Sequence, residues 1–137
     1  MQKTDHTYCL ERRISVSMGF LAGTLALMAS LHIAGILGGG SKPFRATDAG
    51  VAEAITGLVL AGGSVALMRG FTRGRGIALA ATGFAIVSFV VGLSFTVRGG
   101  GAIDLAYHAT VLPLLLLTLV GFTAHNGGDV NGRHQPL

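Results

Sequence analysis

The stretch Ile77-Ala-Leu-Ala-Ala-Thr-Gly-Phe-Ala-Ile-Val-Ser-Phe-Val-Val-Gly-Leu-Ser-Phe-Thr-Val97 runs for 21 residues without one charged side chain. At about 1.5 Å of rise per residue, a helix of that length covers ~30 Å, the hydrocarbon thickness of a bilayer. Three more apolar runs share its character, at 14–37, 50–68 and 103–124. Charge falls almost wholly between them; only Glu53, Asp104 and Arg98 lie within or at the edge of a run. Lipid gives a peptide group no hydrogen-bonding partner, so each run must become a helix. The expected fold class is all-α: a polytopic membrane protein built as an antiparallel four-helix transmembrane bundle. Residues 1–13 are expected to form a cytoplasmic N-terminal segment, 14–124 the bundle, and 125–137 a flexible cytoplasmic tail.

Composition agrees with that reading. Charged residues make up 12% of the chain and hydrophobic ones 50%, with mean hydropathy +0.64; a soluble domain carries about 25% charged residues. The single cysteine, Cys9, excludes an internal disulfide or a thiolate metal cluster within one chain. Tryptophan is absent, which leaves Tyr107, Phe44, Phe71 and Phe122 as interfacial candidates. Lys3, Arg12 and Arg13 precede the first run as a basic segment would in a secretory signal. The run itself is 24 residues and ends in Gly38-Gly39-Gly40, whereas a signal core spans about 7–15 residues before a small-residue cleavage site. It is therefore expected to be a retained helix.

The net charge of +4 and pI near 10 read as topology signals and not as a nucleic-acid surface. With four spans both termini share a side, together with Lys3, Arg12, Arg13, Arg69, Arg73, Arg75 and Arg133; Lys42, Arg45 and Arg98 fall opposite. Short loops rich in Lys and Arg stay in the cytoplasm, so both termini are expected inside. A bacterial cytoplasmic (inner) membrane is the expected location. Eight Arg against two Lys, with abundant Ala, Gly and Val, fit a GC-rich genome.

Association of helices in lipid relies on small residues that let backbones approach. The spacing predicts contact at Gly19-x3-Gly23 and Ala26-x3-Ser30-x3-Ala34 in the first run. Gly57-x3-Ala61 and Gly62-x3-Ala66 would serve the second, Gly76-x3-Ala80 and Ser88-x3-Gly92 the third. The fourth run holds Val111-Leu-Pro-Leu-Leu-Leu-Leu117, bulky and nearly free of small residues, with Pro113 inside it. That face is expected to meet lipid or a partner subunit.

One polar constellation stands out. His32 is five residues before the end of the first run, His108 five past the start of the fourth, and Glu53 three into the second. All three fall at nearly one depth. Asp104 precedes His108 by one helical turn, where its carboxylate could take that imidazole's N–H. Two His and one carboxylate suffice as a metal first shell (His32, Glu53, His108, with Asp104 behind them). His32 and His108 could equally ligate a b-type haem, or the cluster could hold a quinone head group or relay protons. The plain structural alternative is hydrogen bonding between helices.

The quoted motifs Leu31-His32, Val51-Ala-Glu53-Ala-Ile-Thr-Gly57 and Ile103-Asp-Leu-Ala-Tyr-His108, with the Gly-rich and Arg-rich loops between spans, give a pattern covering most of 12–124. That pattern resembles small four-helix integral membrane proteins of unassigned activity from GC-rich bacteria, and the resemblance implies a helical bundle. The chain lacks the membrane-central Glu that small multidrug exporters carry in their first span. It also lacks a cysteine pair for quinone-linked disulfide chemistry. The leading functional expectation is a non-catalytic accessory subunit of a larger membrane complex, or a homo-oligomer. A small redox, haem or metal-binding protein is the rival. A small transporter comes third, because no ionisable group lies near the midplane.

Overall fold

The computed structural model describes residues 2–37 and 45–124, with side chains from residue 8 onward. Four helices follow in chain order: α1 (Gln2–Ile33), α2 (Ala46–Met68), α3 (Gly74–Gly99) and α4 (Ala102–Ala124). Each contains a stretch long and apolar enough to cross a membrane. The chain is an all-α four-helix bundle and a multi-pass membrane protein whose apolar outer faces meet lipid. The tail at 125–137, Lys42, Phe44 and the Gly38–Gly40 run lie outside the described residues.

α1 differs from expectation at both ends. It is already helical at Gln2, so the segment expected to precede the first span is its opening turns. At the other end it stops at Ile33, short of the Leu37 boundary that hydropathy indicated. The cause is Gly35, whose φ of 73° an L side chain rarely adopts. Its N–H donates to the His32 carbonyl at 3.1 Å and the Ile36 N–H donates to the Leu31 carbonyl at 3.0 Å. This is a glycine-terminated C-cap in which the last carbonyls are satisfied by the chain turning back. α2 closes in the same way at Gly70.

Neighbours in sequence are neighbours in space, and α1 packs most intimately against α2. A Cβ added at Gly50 would lie 3.0 Å from the Ala29 carbonyl oxygen, 3.0 Å from His32 Cβ and 2.9 Å from Ile33 Cγ1. Gly57, seven residues on, faces Leu25 and Ala22 of α1. Near the loop joining α2 to α3, Gly63 abuts Ala78 and Ala81, and Gly74 abuts Ala66. Met18, Leu21, Leu25, Leu60, Leu115 and Phe89 fill the centre.

Only part of the expected small-residue pattern is used. Gly57 and Ala66 are at interfaces, whereas Gly23, Gly62 and Gly76 have open space where a Cβ would stand. α4 meets its neighbours least, and its seam with α1 is the slightest in the ring. Leu114, Leu116, Leu117 and Val120 remain exposed on it, as its bulky sequence indicated, while Leu115 turns inward. Phe122, expected at an interface with headgroups, is buried. α4 runs continuously through Pro113.

Hydroxyls inside the bundle are paired. Ser15 Oγ donates to the Ser64 carbonyl at 2.9 Å and Ser64 Oγ returns a bond to the Ser15 carbonyl at 2.8 Å, joining α1 to α2. Thr56, Thr82, Thr96 and Thr118 each donate to the carbonyl four residues back. Arg75 Nη2 donates to the Phe122 carbonyl at 2.7 Å, so an arginine in the first turn of α3 also caps the end of α4.

At Gly50 two of the three atoms a Cβ would meet, the Ala29 carbonyl oxygen and His32 Cβ, are fixed by the backbone of α1 and cannot relax by rotamer change. Gly50→Val is expected to destabilise the bundle by about 1–3 kcal/mol, measured by reversible denaturant unfolding in lipid–detergent micelles. Gly62→Val, facing open space, should stay within about 0.5 kcal/mol of the parent.

Candidate functional site

His32 sits in the last turn of α1 and is only 1% exposed. Its Nδ1 lies 2.8 Å from Glu53 Oε2 on α2, and its Nε2 lies 2.9 Å from Asp104 Oδ1 on α4. One imidazole therefore bridges two carboxylates from two other helices, all three side chains buried. Gly50 makes room for this by bringing α2 onto α1 beside His32. Glu53 is seven residues into α2, about 10 Å along its axis, deeper than the three residues that hydropathy implied.

Asp104 has a second task. Its Oδ2 accepts the Gly101 N–H at 3.1 Å, the return half of a capping box in which the third helical residue satisfies the N-cap amide. An acidic group in the first turn also complements the helix dipole. The pull of α4's own N-terminus thus fixes the carboxylate that His32 meets.

Asp104 was expected to serve His108 through its carboxylate; the structure corrects this. His108 Nδ1 donates to the Asp104 backbone carbonyl at 2.8 Å, while the carboxylate turns to His32. A carbonyl only accepts, so the neutral His108 carries its proton on Nδ1 and keeps a lone pair on Nε2. The ring packs against Phe89, with centroids 5.0 Å apart, and against Tyr107 edge-on at 6.2 Å. Tyr107, expected at the membrane interface, instead donates its O–H to Thr24 Oγ1 at 3.1 Å, since that hydroxyl's own proton goes to the Leu21 carbonyl. The weakly packed α1–α4 seam is therefore stitched by two polar contacts, Thr24–Tyr107 and His32–Asp104.

A cavity of about 460 Å³ opens between α2 and α3 on the same level. Glu53, Thr56 and His108 contribute its polar wall, and Val87, Phe89, Val91 and Phe95 its apolar wall. Arg45 and Asp48 stand at its rim, 3.8 Å apart and largely exposed. Helices α2 and α3 touch closely at their other ends, through Gly63 and Gly74, and the cavity is where they part.

The structure brings His32, Glu53 and Asp104 into one hydrogen-bonded unit and places His108 beside it on the cavity wall. Among the described residues, no three histidine, cysteine or carboxylate side chains are gathered so as to hold a metal ion. Both His32 nitrogens lie within hydrogen-bond distance of carboxylate oxygens. The pairing of His32 with Asp104 escaped sequence reasoning, because α1 and α4 are 72 residues apart at this point. The helix-stop signal of Gly35 was the available clue to His32's level.

Removing the imidazole leaves two carboxylates unpaired in a dry site. His32→Ala is expected to cost about 3–5 kcal/mol of stability. The triple variant H32L/E53L/D104N, which removes the buried charges together, should recover most of it. Unfolding in micelles checks both.

No family model, curated protein or solved structure matches this chain.

Proposed function

We propose that this chain is a proton-handling subunit of a bacterial inner-membrane assembly, with both termini cytoplasmic. The basic residues support the orientation: Arg69 and Arg73 bound one short connection and Arg75 follows in the first turn of α3, and such basic span ends are retained inside. The triad then lies in the outer half of the membrane. The resemblance to small four-helix proteins of GC-rich bacteria supports the bacterial setting. The exposed leucine face of α4 supports membership of a larger membrane assembly.

A single observation carries the functional part: an imidazole with a carboxylate on each nitrogen, one of them lining a cavity. With both carboxylates ionised, the imidazolium donates from Nδ1 and from Nε2. With a neutral ring, one carboxyl holds a proton and donates to the bare nitrogen. The two arrangements carry the same net charge of −1, so protons redistribute without changing the charge in lipid. When Glu53 passes a proton to Nδ1 as Nε2 passes one to Asp104, a proton equivalent moves from the cavity wall to the first turn of α4. The step is local and reversible. Among the described residues no chain of ionisable groups leads from the triad to the opposite end of the bundle, where Ser15, Ser64, Thr82 and Thr118 are the buried polar groups. The geometry therefore supports proton exchange between the cavity and the outer surface, in preference to conduction across the membrane.

The test is exchange of the His32 ring N–H protons with water, followed by ¹⁵N NMR of histidine-labelled protein in nanodiscs. Glu53→Gln and Asp104→Asn preserve hydrogen-bonding shape but cannot pass a proton, and each is expected to slow exchange markedly. If both variants fold and exchange at the parent rate, the triad is a structural tie only and the accessory, non-catalytic reading stands alone.

A further inference from the structure

We propose that the cavity between α2 and α3 binds the hydroxylated ring of a membrane-dissolved phenol or quinol, with the ligand O–H donating to His108 Nε2. The proposal extends the triad reading, because Glu53 serves both, yet it stands on separate atoms.

His108 has one ring nitrogen committed as a donor to the Asp104 carbonyl. Its Nε2 has no hydrogen-bond partner among the described residues, although His108 is only 8% exposed. Every fully buried side-chain nitrogen and oxygen among those residues is satisfied, so Nε2 must look into open space, and the cavity is what His108 lines. A lone pair held there in an apolar setting calls for a donor, because leaving it unpaired costs free energy. The same reasoning applies to Glu53: Oε2 is taken by His32, and the residue lines the same wall.

The remaining lining selects the rest of the ligand. Phe89 and Phe95 offer ring faces, and Val87 and Val91 are apolar. Thr56 and Thr96 have spent their protons on the Ala52 and Gly92 carbonyls, so they offer lone pairs and no donor. A cavity of about 460 Å³ falls within the ~300–1,000 Å³ usual for small-molecule sites, which are mostly apolar with a few fixed polar groups. A flat ring with a donating hydroxyl satisfies all of these surfaces. A simple acyl chain satisfies the apolar wall but leaves His108 unpaired. Gly92 keeps the nitrogen open: a Cβ there would stand 2.9 Å from Nε2.

The test measures equilibrium binding of 4-decylphenol to the full chain in phosphatidylcholine nanodiscs, with its methyl ether as the non-donating control. The parent is expected to bind the phenol saturably, one per chain. The ether, and the phenol on Gly92→Ala or His108→Phe, should bind about tenfold more weakly, the loss of one hydrogen bond. Ala52→Phe fills the cavity from its α2 side and should abolish binding. Equal affinity for the ether, no effect of these substitutions, or no saturable binding overturns the proposal and leaves the cavity as a crevice for lipid tails. His32 ring exchange is read on the same samples, so slowed exchange in Glu53→Gln together with no saturable phenol binding by the parent overturns this inference and leaves the triad reading intact.

Discussion

Among the described residues, the imidazole of His32 ties three helices together by hydrogen bonds. Lipid supplies no force that presses apolar helices together, since its tails are as apolar as Leu. What fixes one helix against another is close backbone approach and hydrogen bonding. Between α1 and α2 both operate, through Gly50, Gly57 and the reciprocal Ser15–Ser64 bonds. Between α1 and α4 packing is slight, and the His32–Asp104 and Thr24–Tyr107 bonds reinforce it. The position of α4, and with it that of His108, depends on those contacts.

That dependence explains why structural and chemical readings of the triad are not rivals. A purely structural tie needs one donor and one acceptor per seam, as Thr24 and Tyr107 show. At His32 the tie is made from three ionisable groups instead, each costly to bury unless paired. Serine–serine bonds hold the other end of the α1–α2 seam without any charge. The choice of titratable groups at one end only, beside a cavity, is an expense that stability alone does not require.

The helical spans were legible in sequence because lipid leaves a chain few alternatives. Runs at 50–68, 77–97 and 103–124 sit within the observed α2, α3 and α4, whose starts precede the runs by one to four residues, while α2 and α4 end with their runs and α3 ends two residues later. The end of α1 was misplaced because hydropathy is blind to φ: Ala34, Ile36 and Leu37 are apolar, yet Gly35 turns the chain. Packing partners were less legible still. Gly57 and Gly62 look alike in sequence, but helix rotation puts one against Leu25 and the other in open space. The cluster's membership was readable from depth, as His32, Glu53, Asp104 and His108 all fall near one end. Its wiring was not, because whether Asp104 turns its carboxylate to its own helix or to α1 is decided by a neighbour 72 residues away.

The wiring also assigns different chemistry to the two histidines. His32 has each ring nitrogen facing a carboxylate, Glu53 at Nδ1 and Asp104 at Nε2. His108 is half open: its Nδ1 is fixed on a backbone carbonyl that no side-chain substitution removes, and this fixes which nitrogen faces the cavity. Asp104 links them, lending its carbonyl to one ring and its carboxylate to the other. Any movement of α4's first turn must therefore change both rings together. A ligand seated against His108 would press on the same turn that holds the far carboxylate of the triad. Coupling between cavity and triad then follows from one residue's geometry, without a longer pathway through the bundle.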